Sequence, residues 1–102
     1  MAFMQIIEFR TSDIERARQI NGEWWRATVG KRTLRGELLA GDHSGPGRCF
    51  AVVFFDSYES AMENSGLPET QAPAEQYMKI SDGPPVFYDL DILEDRAQGS
   101  RP

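Results

Sequence analysis

Hydrophobic and polar positions along the chain change period several times, and each change marks an element. Residues 3 to 10, FMQIIEFR, are rich in β-branched and aromatic residues and run into TSD, the pattern of a strand that ends at a helix cap. Ser12 followed by Glu15 has the spacing of a capping box, so a helix is expected from there. On a helical projection Ile14, Ala17, Ile20, Trp24, Trp25, Ala27, Thr28 and Val29 share one broad side, and Glu15, Arg16, Gln19, Glu23 and Arg26 the other. The helix should stop near Gly30. Gly22, toward its polar side, costs about 1 kcal/mol relative to alanine.

Residues 32 to 41, RTLRGELLAG, alternate loosely, and 48 to 55, RCFAVVFF, form an apolar run; DHSGPG between them is turn chemistry that joins antiparallel strands. Asp56 or Ser57 then caps a helix through about Ser65, with Gly66 at its stop and Pro68 beyond. A further helical piece covers 70 to 81, where Pro73 fits only in the first turn. After DGPP, residues 86 to 93, VFYDLDIL, read as a last strand with Val86, Tyr88, Leu90 and Ile92 on one face. The predicted order is βαββαβ: an α+β domain over residues 1 to 93 with a four-stranded antiparallel sheet and both helices on one face. Residues 94 to 102 are expected to be a flexible tail.

That arrangement leaves one sheet face to be explained. In 48 to 55, Phe50, Val52 and Phe54 point one way and Cys49, Ala51, Val53 and Phe55 the other, so both faces are apolar while helices cover only one. The expectation is a homodimer joined through the sheets.

Composition and charge narrow the partners. A chain of 102 residues supports one core. The formal net charge of -5 argues against a nucleic-acid partner, because binding phosphates needs clustered cations. The densest group, Lys31, Arg32 and Arg35, reads as a solvated edge beside Glu37 and Asp42. The single Cys49 excludes an internal disulfide and, among Phe50, Ala51 and Val52, reads as a buried thiol. MAFMQIIEFR lacks the features of a secretion signal, and no stretch approaches ~18 apolar residues, so a cytoplasmic protein without membrane association is expected.

The βαββαβ order, the doubly apolar strand, and the phrases VVFFDSYESAMENS, LPET and DGPPVFYDLDI resemble the dimeric α/β-barrel superfamily over most of residues 3 to 93. They look most like small bacterial proteins related to antibiotic-biosynthesis monooxygenases and stress-responsive barrels. The resemblance implies a ferredoxin-like fold whose sheet pairs with that of a second copy to form a barrel. It also implies functions ranging from cofactor-free oxygenation of polycyclic phenols to haem degradation, lactone isomerisation and ligand sensing. Haem-binding members carry an iron-ligating histidine on the second helix. Residues 57 to 81 contain none, so haem is not carried over and no cofactor is expected.

Several side chains suit a site. Asn21 falls amid the apolar side of the first helix, where an amide needs a partner: a strand backbone group, or a ligand oxygen in a pocket. Trp24, Trp25 and Thr28 are either core or walls for a planar aromatic substrate. Tyr77 could present its hydroxyl to the same cleft. His43, the only histidine, lies in the hairpin turn, inert or an acid-base group at a cleft mouth. Asn64 suits a C-terminal cap, and Tyr58 and Met62 the core. Asp89 and Asp91 either share a proton or pair with Arg10, Arg35 or Arg48. Metal-ligand spacing, a dinucleotide fingerprint and a P-loop are absent from the sequence.

Two functions follow. One is a cofactor-independent monooxygenase acting on an aromatic or polyketide-like molecule, with Asn21, Tyr77 and His43 as catalytic candidates and Trp24, Trp25 and Thr28 as binding candidates. The other is a non-enzymatic ligand-binding or structural dimer, favoured if no pocket of ~300 Å³ exists.

Overall fold

In the computed structural model, which describes residues 1–97 and 99, the first strand, β1, spans Phe3–Arg10 and the first helix, α1, Ile14–Ala27. β2 (Leu34–Gly41) and β3 (Arg48–Phe55) form the hairpin. α2 (Tyr58–Ser65) leads through a 3-10 turn at Pro68–Thr70 into α3 (Gln71–Ile80), and β4 (Val86–Asp91) completes the chain order. The strands lie in the order β2-β3-β1-β4, each neighbouring pair antiparallel. This is the ferredoxin-like α+β arrangement expected from the pattern. The expected flexible tail at 94 to 102 falls partly outside the described residues.

Local chemistry explains the boundaries. The cap of α1 is Asp13 rather than Ser12: Asp13 Oδ1 accepts from Arg16 N at 3.1 Å, while Asp13 N donates to Thr11 Oγ1. Thr11 is itself fixed, donating from Oγ1 to Ile80 O and from its backbone to Gly47 O, so the turn is anchored one residue before Ser12 and the cap falls one residue after it. Gly47 has φ +88, and a Cβ there would lie 3.1 Å from Thr11 O; both facts demand glycine at this approach of hairpin to β1. Ser57 caps α2 by accepting from Ser60 N, and Pro73 sits in the first turn of α3, where its missing N–H has no helical partner to lose.

The core lies between the sheet and the helices. Phe3, Phe55 and Ala61 form one cluster with Leu34 and Val53 against it, and Phe9, Ala17 and Cys49 a second with Leu39, Ala51, Tyr77 and Ile80. Strand alternation puts Met4, Ile6, Phe50, Val52, Phe54, Leu38, Tyr88 and Leu90 on the other face, which no helix covers. Among the described residues no helix is long and apolar enough to cross a membrane.

Three sequence expectations are corrected. Tyr58 and Met62 are exposed, although the Tyr58 ring meets Phe3 edge-on at 5.5 Å. Asn64 is buried, and its side chain spans to another segment: Oδ1 accepts from Thr33 N at 3.2 Å, tying α2 to the entry of β2. Arg35 and Arg48 are engaged elsewhere than at Asp89 and Asp91, and Arg10 lies on the opposite sheet face from both. Arg48 pairs with Glu8 and Asp42, and Arg35 with Asp56, while Asp89 accepts from Gln5. The cause is register, which puts Arg48 and Glu8 on the open face and Asp89 beside Gln5 on the helix face.

Candidate functional site

A cleft of about 860 Å³ opens between α1 and the β2–β3 hairpin. The face of α1 divides to form it. Ala17, Ile20, Trp24 and Thr28 are buried against the core, whereas the adjoining stripe of Ile14, Arg18, Asn21, Gly22, Trp25 and Arg26 lines the cleft. The apolar side read from the sequence is thus two stripes with different tasks. Glu37 and Leu39 face the stripe from β2, and Asp42, Gly47, Arg48 and Cys49 come from the hairpin end.

At the centre, Asn21 Nδ2 donates to Glu37 Oε1 at 2.9 Å. The partner of this amide is therefore a carboxylate, neither of the two partners anticipated for it. Glu37 is half-buried, and among the described residues no cation lies within ion-pairing distance of it. Desolvation raises its pKa above the ordinary glutamate value, against smaller lowering effects from the Asn21 hydrogen bond and the charge of Arg32. A carboxyl so placed is a better proton acceptor than a solvated one, provided it is ionised.

The wall of the cleft carries Trp25, which is 38% exposed. Its indole is held by the Arg32 guanidinium, 3.5 Å from the ring centroid, and Arg32 also donates to Trp25 O at 2.6 Å. Trp24 turns inward, and its Nε1 donates to Thr70 Oγ1 at 3.2 Å. Thr28 is fully buried and donates back to Trp24 O at 2.8 Å, a bond that satisfies the hydroxyl within the helix. Of the aromatic-binding candidates, Trp25 alone lines the cleft; Trp24 and Thr28 belong to the core.

Tyr77 packs edge-on against Phe9 at 5.6 Å, and its hydroxyl donates to Ala17 O at 3.1 Å. Burial, with a lesser effect of the Glu37 charge, pushes its pKa up to about 12, so it remains a protonated donor. The hydroxyl is satisfied by α1 rather than presented to the cleft. His43 is exposed in the hairpin turn and is not part of the lining. Cys49 is buried, and desolvation raises its thiol pKa, which keeps it in the unreactive form.

Sequence reasoning missed Glu37. The signal was alternation with Leu39, two residues on, but a register shift between Leu34 and Gly36 breaks the count through β2. Gly22, read only as a helix defect, lies in the cleft wall; a Cβ there would meet nothing nearer than Arg26 Nη1 at 3.4 Å.

No family model matches the sequence, and no curated protein matches it. Solved structures do match the fold. An antibiotic biosynthesis monooxygenase-like protein from Caulobacter crescentus superposes with a TM-score of 0.80 at 11% identity, covering 91% of each chain. One from Chloroflexus aurantiacus gives 0.75 at 15% identity over 97% of this chain and 100% of that one. SnoaB, a cofactor-independent oxygenase from Streptomyces nogalater, gives 0.79 at 5% identity over 95% and 98%. Identities this low establish architecture alone: the chain has the ferredoxin-like fold shared by the antibiotic biosynthesis monooxygenase-like structures.

Proposed function

We propose that the chain binds a planar aromatic or polyketide-like molecule in the cleft between α1 and the hairpin and oxidises it with dioxygen, without a cofactor. The observation that carries this reading is the half-buried Asn21–Glu37 pair, which lines one cleft together with the partly exposed Trp25. Small-molecule sites are concave, roughly 300–1,000 Å³, and combine apolar walls with a few convergent polar groups. The cleft fits that description. The fold likeness to SnoaB, a cofactor-independent oxygenase, supports the oxygenase class.

Loss of an acidic hydrogen turns such a ligand into an electron-rich anion that itself reacts with dioxygen. The chain's work is then to orient the ring against Trp25, hold the deprotonated form and limit water access. The open sheet face supports a second proposal, a homodimer through Met4, Ile6, Val52, Phe54, Tyr88 and Leu90, since a contiguous apolar face of this kind is costly to leave in water.

Tryptophan fluorescence titrated with 1,8-dihydroxy-9-anthrone, under argon for binding and then under air for turnover, tests the site, because the ring methylene of the anthrone supplies the acidic hydrogen and its oxidation by dioxygen gives the anthraquinone and water. Saturable quenching whose midpoint moves to higher ligand concentration in Trp25→Ala, with Trp24 at 6.5 Å still reporting, followed by oxygen uptake and slow loss of the ligand's absorbance, is the expected result. Quenching without turnover would leave a ligand-binding module. An unchanged midpoint in Trp25→Ala would move the ligand away from this cleft.

A further inference from the structure

The cleft contains several ionisable groups, and their geometry separates them. Asp42 already accepts from Ser44 N at 2.9 Å and from Arg48 Nη1 at 3.2 Å; those bonds hold its pKa below the ordinary value and make it a weak base. Cys49 Sγ contacts Gly47 O at 3.8 Å and stays a thiol. Arg18, Arg26 and Arg48 are guanidinium cations, and Asp82, which lines the cleft from the turn before β4, is exposed to solvent rather than half-buried. Tyr77 reaches Ala17 O instead of the cleft.

Glu37 is different. One oxygen, Oε1, is occupied by the Asn21 amide, and Oε2 makes no hydrogen bond among the described residues. Nor is Oε2 a sealed, orphaned atom, since among the described residues that condition holds only for Glu69 Oε2. A carboxylate with one oxygen anchored and the other open, on the wall of a concave site, is a pre-aimed acceptor.

We infer that Glu37 is the base of this cleft, taking the acidic hydrogen of the bound aromatic ketone or phenol on Oε2 while Asn21 acts as its positioning residue through Oε1. The inference rests on the oxygenase reading for its physiological sense, but the proton transfer is separable from oxygen chemistry. In the step, the ligand's C–H or O–H bond breaks and an O–H bond forms on Glu37. The electron pair stays on the ligand as an enolate or phenolate, and no oxidant takes part. Arg32 from the loop before β2 favours the ionised carboxyl; Tyr77 from α3 stays neutral beside it. The missing side chain at Gly22 leaves room on α1 for the ligand to approach the pair.

Exchange of the benzylic hydrogens of 2-tetralone in deuterium oxide under argon, followed by proton NMR, tests the step without oxygen. The wild-type chain should accelerate exchange over buffer, and Glu37→Gln, checked for folding by circular dichroism, should lose about 10²-fold or more of that acceleration. The wild-type rate should climb with pH through a midpoint above the ordinary glutamate value. Asn21→Ala, which removes a bond to the ionised carboxyl, should move that midpoint higher, a shift that a purely structural role would not produce. Wild-type exchange no faster than buffer, or Glu37→Gln exchange equal to wild type, overturns the assignment. Acceleration under argon with no oxygen uptake in air keeps Glu37 as the base and defeats only the oxygenase reading.

Discussion

Gly22→Ala should make the protein more stable and worse at binding. Glycine within a helix is less favourable than alanine by about 0.8–1 kcal/mol, because it loses more backbone freedom on folding. Gly22 does not have a positive φ, so alanine fits the backbone without strain. Its Cβ would meet only Arg26 Nη1, at 3.4 Å, the far end of a flexible side chain. The full gain of about 1 kcal/mol should therefore appear, raising the melting temperature by roughly 4–8 °C for a domain of this size. The same methyl group enters the wall of the cleft between Arg18 and Trp25. Overpacking of a fitted site costs roughly 1–3 kcal/mol, so affinity for 1,8-dihydroxy-9-anthrone under argon should fall about tenfold or more. Circular dichroism melts and fluorescence titrations of the two proteins give both numbers. A melting temperature that stays or falls would refute the argument about helix space. A rise with unchanged affinity would show that the gap at Gly22 is not used by the ligand.

Glu37→Gln should be more stable than wild type at neutral pH. Desolvation raises the folded-state pKa of Glu37, so the folded state binds the proton more tightly, and its stability declines as pH rises through the window above the ordinary glutamate value. The advantage of the variant should vanish by about pH 4 in melts across pH, and an advantage independent of pH would contradict the cause given. Asn64→Ala leaves Thr33 N without its partner in a partly buried setting and should cost about 1–3 kcal/mol in urea unfolding; a cost below ~0.5 kcal/mol would mean that water replaces the amide. Val52→Asp, at the middle of the open sheet face, should shift sedimentation toward the monomer if that face joins two copies, and identical sedimentation of variant and wild type would refute the proposed dimer.

Local rules carried most of the architecture. The strand 48 to 55 was bounded as observed because an apolar run between turn residues has few alternatives, and Ser57 and Gly66 mark the ends of α2 by cap chemistry confined to a few residues. Where local rules left near-equivalent choices, tertiary contacts decided. Asp13 displaced Ser12 as the cap of α1 because Thr11, held by Ile80 and Gly47, fixes the turn. Asn64 reads locally as a helix cap, yet its side chain bridges to Thr33, a residue 31 positions away that no local pattern brings close.

The candidate site divides in the same way. The order of elements, the doubly apolar sheet and the presence of Asn21 and Trp25 on one side of α1 follow from periodicity and short-range capping, which are written in neighbouring residues. Which half of that side is core and which is cleft depends on what packs against the helix once the chain has folded, with Ala17, Ile20 and Trp24 buried and Asn21, Gly22 and Trp25 lining the cleft. Folding sent Trp24 and Thr28 inward, satisfied Tyr77 at Ala17 O, and left His43 on the surface. It also brought Glu37 to Asn21 across a bulged strand. A carboxylate's role is set by the solvent it loses and the donor it meets, and both are properties of the assembled fold.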